Sequence, residues 1–385
     1  MTSACTVDEL KAEVDRLLDR YERAEIKDGR LLEPPETRDI ALEGRPVALL
    51  GAGAAFPQEF VRHLVERHHV VALVDNVRIG EARYEREFVG DAAFLDVAHR
   101  APDLVAVMCC ASDGAVAHFA ALAARAGVPV LSLFQAMRRE GLLSHGRAHG
   151  VVETIETLAH ANPHLDRFAD ELSLRTYYCL LLHRLSWSRH WLDMVRFHYD
   201  EMYFGSGIFP LSHSEILVDG GAFDGDSIRA FDRFTGGEAT HIHAFEPDGQ
   251  SAAALRHNFA GRSNLTLVEA GLWSETTRLS FRSDGSLGSN LSTAGTITVP
   301  VVALDDRGID DATLIKLDIE GAEVPALNGA RDTIRRCAPK LAVCAYHLAD
   351  DLLQIPRTIL AIRPEYRLFL RHYSPWMTDT VVYAV

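Results

Sequence analysis

Leu217 to Ile228 reads LVDGGAFDGDSI: a short apolar run, a glycine turn, then a polar residue opening a helix. Strand, glycine turn and helix in that order form the usual layout of a nucleotide-binding loop. This turn is acidic, with carboxylates at Asp219, Asp224 and Asp226. Phosphate-binding glycine loops point backbone N–H groups and a helix N-terminus at an anion. Carboxylates in such a loop repel a pyrophosphate by about 4 kcal/mol at close range and moderate dielectric. A dinucleotide therefore suits the turn poorly.

A ligand that needs close backbone approach but carries positive groups in place of phosphates resolves the conflict. S-adenosylmethionine, with a sulfonium, an ammonium and no phosphate, is such a ligand. The next strand, in AFEPD (244–248), ends at Glu246. An acid there is placed to take two ribose hydroxyls, as in other doubly wound nucleotide sites. Turn and acid together, in the order strand, turn, helix, strand, acid, are much stronger than either alone.

With these residues in view, the span from about 170 to 385 resembles the FkbM-type S-adenosylmethionine-dependent methyltransferases. The resemblance rests on VDGGAFDGDS (218–227), AFEPD (244–248), LIKLDIEGAE (314–323), CAYHLADDL (344–352) and DEMYF (200–204), and LIKLDIEGAE is the most specific of them. It implies a class I methyltransferase fold and methyl transfer, usually to a hydroxyl of a sugar or polyketide-like acceptor. It also implies cofactor contacts from Asp219, Gly221, Ala222, Asp224, Gly225 and Glu246, with the adenine against Ala270-Gly271-Leu272.

In Ile315-KLDIE, alternation puts Lys316, Asp318 and Glu320 on one side of a strand. A core parallel strand normally reads apolar on both faces, so this row needs a reason. Asp318 stands at the carboxyl end, where ligands of open α/β sheets lie, and is expected among both the cofactor contacts and the catalytic residues. Lys316 either joins the catalytic group or pairs with a neighbouring carboxylate. His347 ends the next strand. Methylating an alcohol requires removal of its proton, and histidine is the commonest general base. Either His347 or Asp318 fills that role. Asp318, Glu320 and His347 could converge on a metal, but no spacing signals one and none is expected.

A second glycine turn, LLGAGAAFPQEF (49–60), has no acid before its helix. Gly51 and Gly53 begin a dinucleotide fingerprint, and Asp75 follows where a ribose-binding acid belongs. Phe56 replaces the third glycine. The alternatives are a nucleotide such as NAD or a nucleotide-sugar, or a degenerate fold used for packing or for a homodimer.

The expected organisation is α/β, with two doubly wound Rossmann-like domains. A helical segment (1–43) precedes a Rossmann-like accessory domain (44–150), a helical connector (151–205) and the methyltransferase domain (206–385). Within the last, TITVPVVAL reads as an exposed alternating strand and 323–336 as one helix. The acceptor is expected to meet the segments 284–291 and Arg371-HYSPWM-Met377.

At 48% hydrophobic and 24% charged, the 385 residues can build two or three cored domains. A formal net charge of −15 disfavours nucleic acid and anionic membrane as partners. The partner expected instead is a small-molecule or glycan hydroxyl acceptor. Six scattered cysteines without a CxxC pair, and a polar N-terminus without a signal-peptide pattern, suit the cytoplasm. Two other functions fit the same residues less well: a nucleotide-dependent oxidoreductase or sugar-modifying protein, and a non-catalytic two-domain binding protein.

Overall fold

The computed structural model describes residues 5–23, 35–53, 58–110, 112–140, 164–282, 290–291 and 297–385. The chain forms two compact units, Glu9–Val152 with Leu180–Asp193, and Met1–Asp8 with Glu153–Cys179 and Met194–Val385. Of the 151–205 stretch, expected as one helical connector, the described residues 164–205 are divided between them. The helix expected over 153–162 lies outside the described residues.

The first unit holds strands β1 (Pro46–Leu50), β2 (His69–Val74), β3 (Ala82–Arg83), β4 (Arg86–Val89), β5 (Val105–Met108) and β6 (Val130–Leu131). Their order is β3-β4-β2-β1-β5-β6, parallel except for the β3–β4 hairpin. The runs VALL and VAVM are apolar on both faces because helices cover both sides of a parallel sheet. Leu50, Val74, Phe94, Ala106 and Phe119 join in its core. The hairpin gave no turn signal. Tyr84 and Glu85 adopt φ of 53° and 59°, the left-handed backbone that glycine or asparagine usually supplies in such turns.

The second unit holds β7 (Ile216–Gly220), β8 (His241–Phe245), β9 (Leu265–Val268), β10 (Gly271–Leu272), β11 (Thr277–Arg282), β12 (Asn290–Leu291), β13 (Ile297–Val302), β14 (Leu314–Leu317), β15 (Lys340–Cys344), β16 (Leu368–His372) and β17 (Thr380–Ala384). The main sheet runs β16-β17-β15-β14-β7-β8-β9, with β17 antiparallel to both its neighbours. Chain order reverses between β14 and β7, so a switch point lies where their carboxyl ends meet.

Several expectations change. β13 is an inner strand of a four-stranded sheet, β10-β13-β11-β12, with Val301 fully buried and Val299 nearly so. The 323–336 helix is two, Glu323–Asn328 and Arg331–Cys337. At Gly329, between them, a Cβ would fall 2.0 Å from the Trp273 carbonyl oxygen. The helix Asp351–Ile362 carries Pro356 inside it, which masks its pattern. Burial of Leu352, Ile355 and Ile359 overrides that signal. Residues 189–204 are helical only over Arg189–Asp193 and a single 3₁₀ turn, Tyr199–Glu201. Phe197 N donates to His372 O at 2.8 Å, because the edge strand β16 offers unpaired backbone groups. Among the described residues, no helix is long and apolar enough to cross a membrane.

Candidate active site

A cavity of about 360 Å³ opens at the switch point. Its walls include Gly221, Glu246, Leu272, Asp318, Phe223 and Tyr203. The glycine turn forms the floor. Gly221 has φ +73°, and a Cβ on it would sit 2.0 Å from the Asp318 carbonyl oxygen. Only glycine permits this crossing of two strand ends. Gly225, at φ +90°, leads into the helix Asp226–Thr235, and a Cβ there would strike Phe259 at 2.2 Å.

Lys316 anchors this turn. It is 2% exposed, and its Nζ lies 3.1 Å from Asp219 Oδ1. The same ammonium donates to the carbonyls of Gly220 (3.1 Å) and Gly221 (2.8 Å), and lies over the Tyr203 ring at 5.4 Å. Burial pulls the Lys316 pKa down, but Asp219 and Asp318 more than reverse this, so the ammonium stays charged. Burial pushes the Asp219 carboxyl up against the opposing pull of Lys316 and of the Ser227 hydroxyl, which donates to it.

Glu246 directly follows β8, with each oxygen already holding one backbone amide. Oε2 accepts from Phe223 N and Oε1 from Asp248 N, both at 2.8 Å. A carboxylate oxygen can accept more than one donor, so the group is oriented without being used up. Burial raises its pKa; the two amides oppose the rise. Asp248 caps the next helix, accepting from Gln250 N and Ser251 N.

Asp318 lines the cavity with both carboxylate oxygens held. Tyr203 OH donates to Oδ2 at 2.8 Å and Tyr346 OH to Oδ1 at 3.0 Å. Burial works to raise its pKa, but Lys316, His347 and the two phenols prevail and hold it below the usual range. His347 does not line the cavity. It is 3% exposed and stands behind Asp318, with Nε2 3.4 Å from Asp318 Oδ1 and Nδ1 2.9 Å from Glu323 Oε1. Burial opposes its charge, yet Glu323 and Asp318 raise its pKa on balance.

Residues 219–372 match the family described as the methyltransferase FkbM domain. The crystal structure of a methyltransferase FkbM from Methylobacillus flagellatus KT is 30% identical, with a TM-score of 0.77 over 98% of this chain and 98% of that one. The chain belongs to the FkbM methyltransferase family. An rRNA methylase from Streptococcus thermophilus is 13% identical with a TM-score of 0.31, covering 45% of this chain and 87% of that one. Aeropyrum pernix fibrillarin, in complex with S-adenosyl-L-methionine, is 11% identical with a TM-score of 0.31, covering 46% and 70%. No curated protein matches.

The whole-length match extends the likeness of this methyltransferase beyond residues 170–385 to the N-terminal unit. In that unit the structure does bring Gly51, Gly53 and Asp75 together. Asp75 Oδ2 accepts from Gly53 N (3.0 Å) and Oδ1 from Val77 N (2.9 Å), so the carboxylate already engages the turn's own amide. A Cβ on Gly51 would lie 2.5 Å from Cys110 Cβ, which marks close packing there. Phe56 lies outside the described residues.

Of the methyltransferase residues expected to touch a cofactor, Gly221, Glu246, Gly271, Leu272 and Asp318 line the cavity, as does Lys316. Asp219 and Ala222 are fully buried and shape the turn from inside. Asp224 is held by Arg229 at 2.6 Å and does not face the cavity. Gly225 sets the helix start. Arg371 and His372, expected near the acceptor, are buried in β16, Arg371 against Asp170 and His372 Nδ1 against Thr380 Oγ1. Residues 284–289 lie outside the described residues. Tyr203 and Tyr346 were not singled out. Both lie inside quoted motifs, DEMYF and CAYHLADDL, but no local pattern shows that two distant tyrosines meet one carboxylate.

Proposed function

We propose that the cavity binds S-adenosylmethionine and that the enzyme methylates a hydroxyl of a sugar, polysaccharide or polyketide-like acceptor. The observation that carries this reading is Glu246, held at the cavity wall by two backbone amides beside a turn where Gly221 leaves no side chain. Glu246 would hold the ribose hydroxyls, and Gly271 and Leu272 would flank the adenine. The carboxylates Asp226 and Asp318 along the cavity suit a ligand with positive groups. When bound, that ligand supplies an electrophilic methyl group.

The chain's own part is positioning, which accounts for much of the acceleration in a two-reactant transfer. Asp318 lines the cavity and stays ionised, so it is the group that accepts the acceptor's hydroxyl proton. His347 stands behind it and steadies its charge. Tyr203 and Tyr346 fix the direction of both its oxygens. Lys316 acts through the turn it ties down.

Calorimetric titration with S-adenosylhomocysteine, with NAD in parallel, tests the reading. One micromolar site for S-adenosylhomocysteine is expected. Glu246→Ala is expected to weaken it by about 1–3 kcal/mol, the order of hydrogen bonds to a charged group. NAD binding without S-adenosylhomocysteine binding, or an affinity indifferent to Glu246, would overturn it.

A further inference from the structure

Behind the cavity wall His347 is surrounded by the carboxylates of Asp318, Glu320 and Glu323. Glu323 is fully buried. Its Oε1 accepts from Ile319 N at 2.9 Å, while its Oε2 has no hydrogen-bond partner. His347 is 3% exposed, and neither ring nitrogen makes an aligned hydrogen bond despite the close carboxylates around it. Its Nε2 lies 3.4 Å from Asp318 Oδ1 and 3.5 Å from Glu320 Oε2. Lys316, the nearest lysine, is paired with Asp219.

Glu323 Oε2 and both ring nitrogens of His347 are sealed from water, and burying such groups is costly unless something balances them. Buried polar atoms without partners are rare in native proteins, and an ion is one of the things that explains them. One ligand atom each from Asp318, Glu323 and His347 can be chosen so that all three lie within 4.8 Å of one another. That spacing lets the three converge on one ion with small side-chain movements.

We propose that Asp318, Glu323 and His347 hold one divalent cation behind the cavity wall. The sequence pattern offers Glu320 for such a cluster; the geometry selects Glu323. Two carboxylate oxygens and one imidazole nitrogen suit Mn²⁺, Fe²⁺ or Zn²⁺ better than Ca²⁺, which takes oxygen ligands. Glu320 stands beside His347 and lines the cavity, as Asp318 does, so the cation has an approach from that side. Bound there, it would grip the Oδ1 side of Asp318 while Tyr203 holds Oδ2. The site does not depend on what the cavity binds.

The probe is Mn²⁺, titrated into the chelator-treated full chain and followed by the electron paramagnetic resonance signal of the free ion. One Mn²⁺ per chain with micromolar affinity is expected. Glu323→Gln and His347→Gln are each expected to weaken binding by about tenfold or more, the scale on which ligand-shell changes act. The exposed-site control Glu275→Gln should leave it unchanged. If either buried variant fails to fold, spin-echo modulation of Mn²⁺ on the unaltered protein decides, since a directly bound imidazole nitrogen leaves its own signature. Absence of binding below millimolar Mn²⁺, binding without the nitrogen signature, or folded variants that bind unchanged would each overturn the site. S-adenosylhomocysteine titrated into the same sample reports separately on the cavity, so the two failures are distinguishable.

Discussion

Lys316 and Asp219 are register partners on β14 and β7, and their charged ends meet 3.1 Å apart with both side chains sealed from water. Because the same ammonium also holds the carbonyls of Gly220 and Gly221, this pair fixes the turn on which the cavity stands. Removing one partner of a buried pair strands the other charge. Lys316→Met is expected to lose about 3–5 kcal/mol of stability, read from urea denaturation. The double variant with Asp219→Asn should recover part of that loss, since residues in contact are not additive. A loss in the double variant equal to the sum of the two single losses would show that the pair does not act as a unit.

Gly221→Ala places a methyl group against the Asp318 carbonyl oxygen in a left-handed conformation. Backbone strain of this kind costs about 1–3 kcal/mol, and relieving the clash must move either the turn or the end of β14. S-adenosylhomocysteine affinity should fall together with stability. Wild-type affinity in this variant would mean that the turn does not approach the ligand.

Tyr203→Phe removes the phenol that donates to Asp318 Oδ2 and can accept from the Cys344 thiol. A hydrogen bond to a charged group contributes about 1.5–3 kcal/mol, so thermal and urea unfolding should both shift downward. Lost hydrogen bonding at Asp318, not at Glu246, should leave S-adenosylhomocysteine affinity within a few fold of the original. A variant as stable as the parent would remove Tyr203 from the role assigned to it.

Asp170 binds Arg371 Nη2 at 2.6 Å and accepts from Ser173 N at 2.9 Å, while the Arg371 side chain is only 7% exposed. Burial pushes the Asp170 carboxyl up, but Arg371 and Ser173 prevail and lower it below its ordinary value. A folded-state pKa below the unfolded value of about 3.9 means stability that is full well above that pH. It is lost as pH falls through the lowered folded value. Asp170→Asn should cost about 3 kcal/mol at neutral pH, and the gap between variant and parent should close in strong acid. A gap independent of pH would show that the carboxylate's charge is not what matters.

Much of the site was legible because its signals are local. Gly221 and Gly225 mark backbone positions with positive φ, and Glu246 follows its strand at the distance a ribose-binding acid needs. Lys316, Asp318 and Glu320 declared themselves by breaking an apolar strand. Roles were harder to read than positions. Lys316 and His347 look alike in the sequence, as polar residues on core strands, yet one grips the turn and the other is shut behind a carboxylate.

The linear pattern was enough for two parallel-sheet units, an acidic glycine turn and the acid after the second strand, since each depends on residues a few positions apart and on the two-residue and 3.6-residue periods of strand and helix. Packing alone settled that Tyr203 and Tyr346 share Asp318, that Glu323 is buried against His347 on the side away from Asp318, and that Phe197 completes a sheet edge where a helix was expected. Those pairings join residues well separated along the chain, or choose between neighbours on one turn. Burial and hydrogen-bond satisfaction across the folded interior decide them, and neither is written in the local sequence.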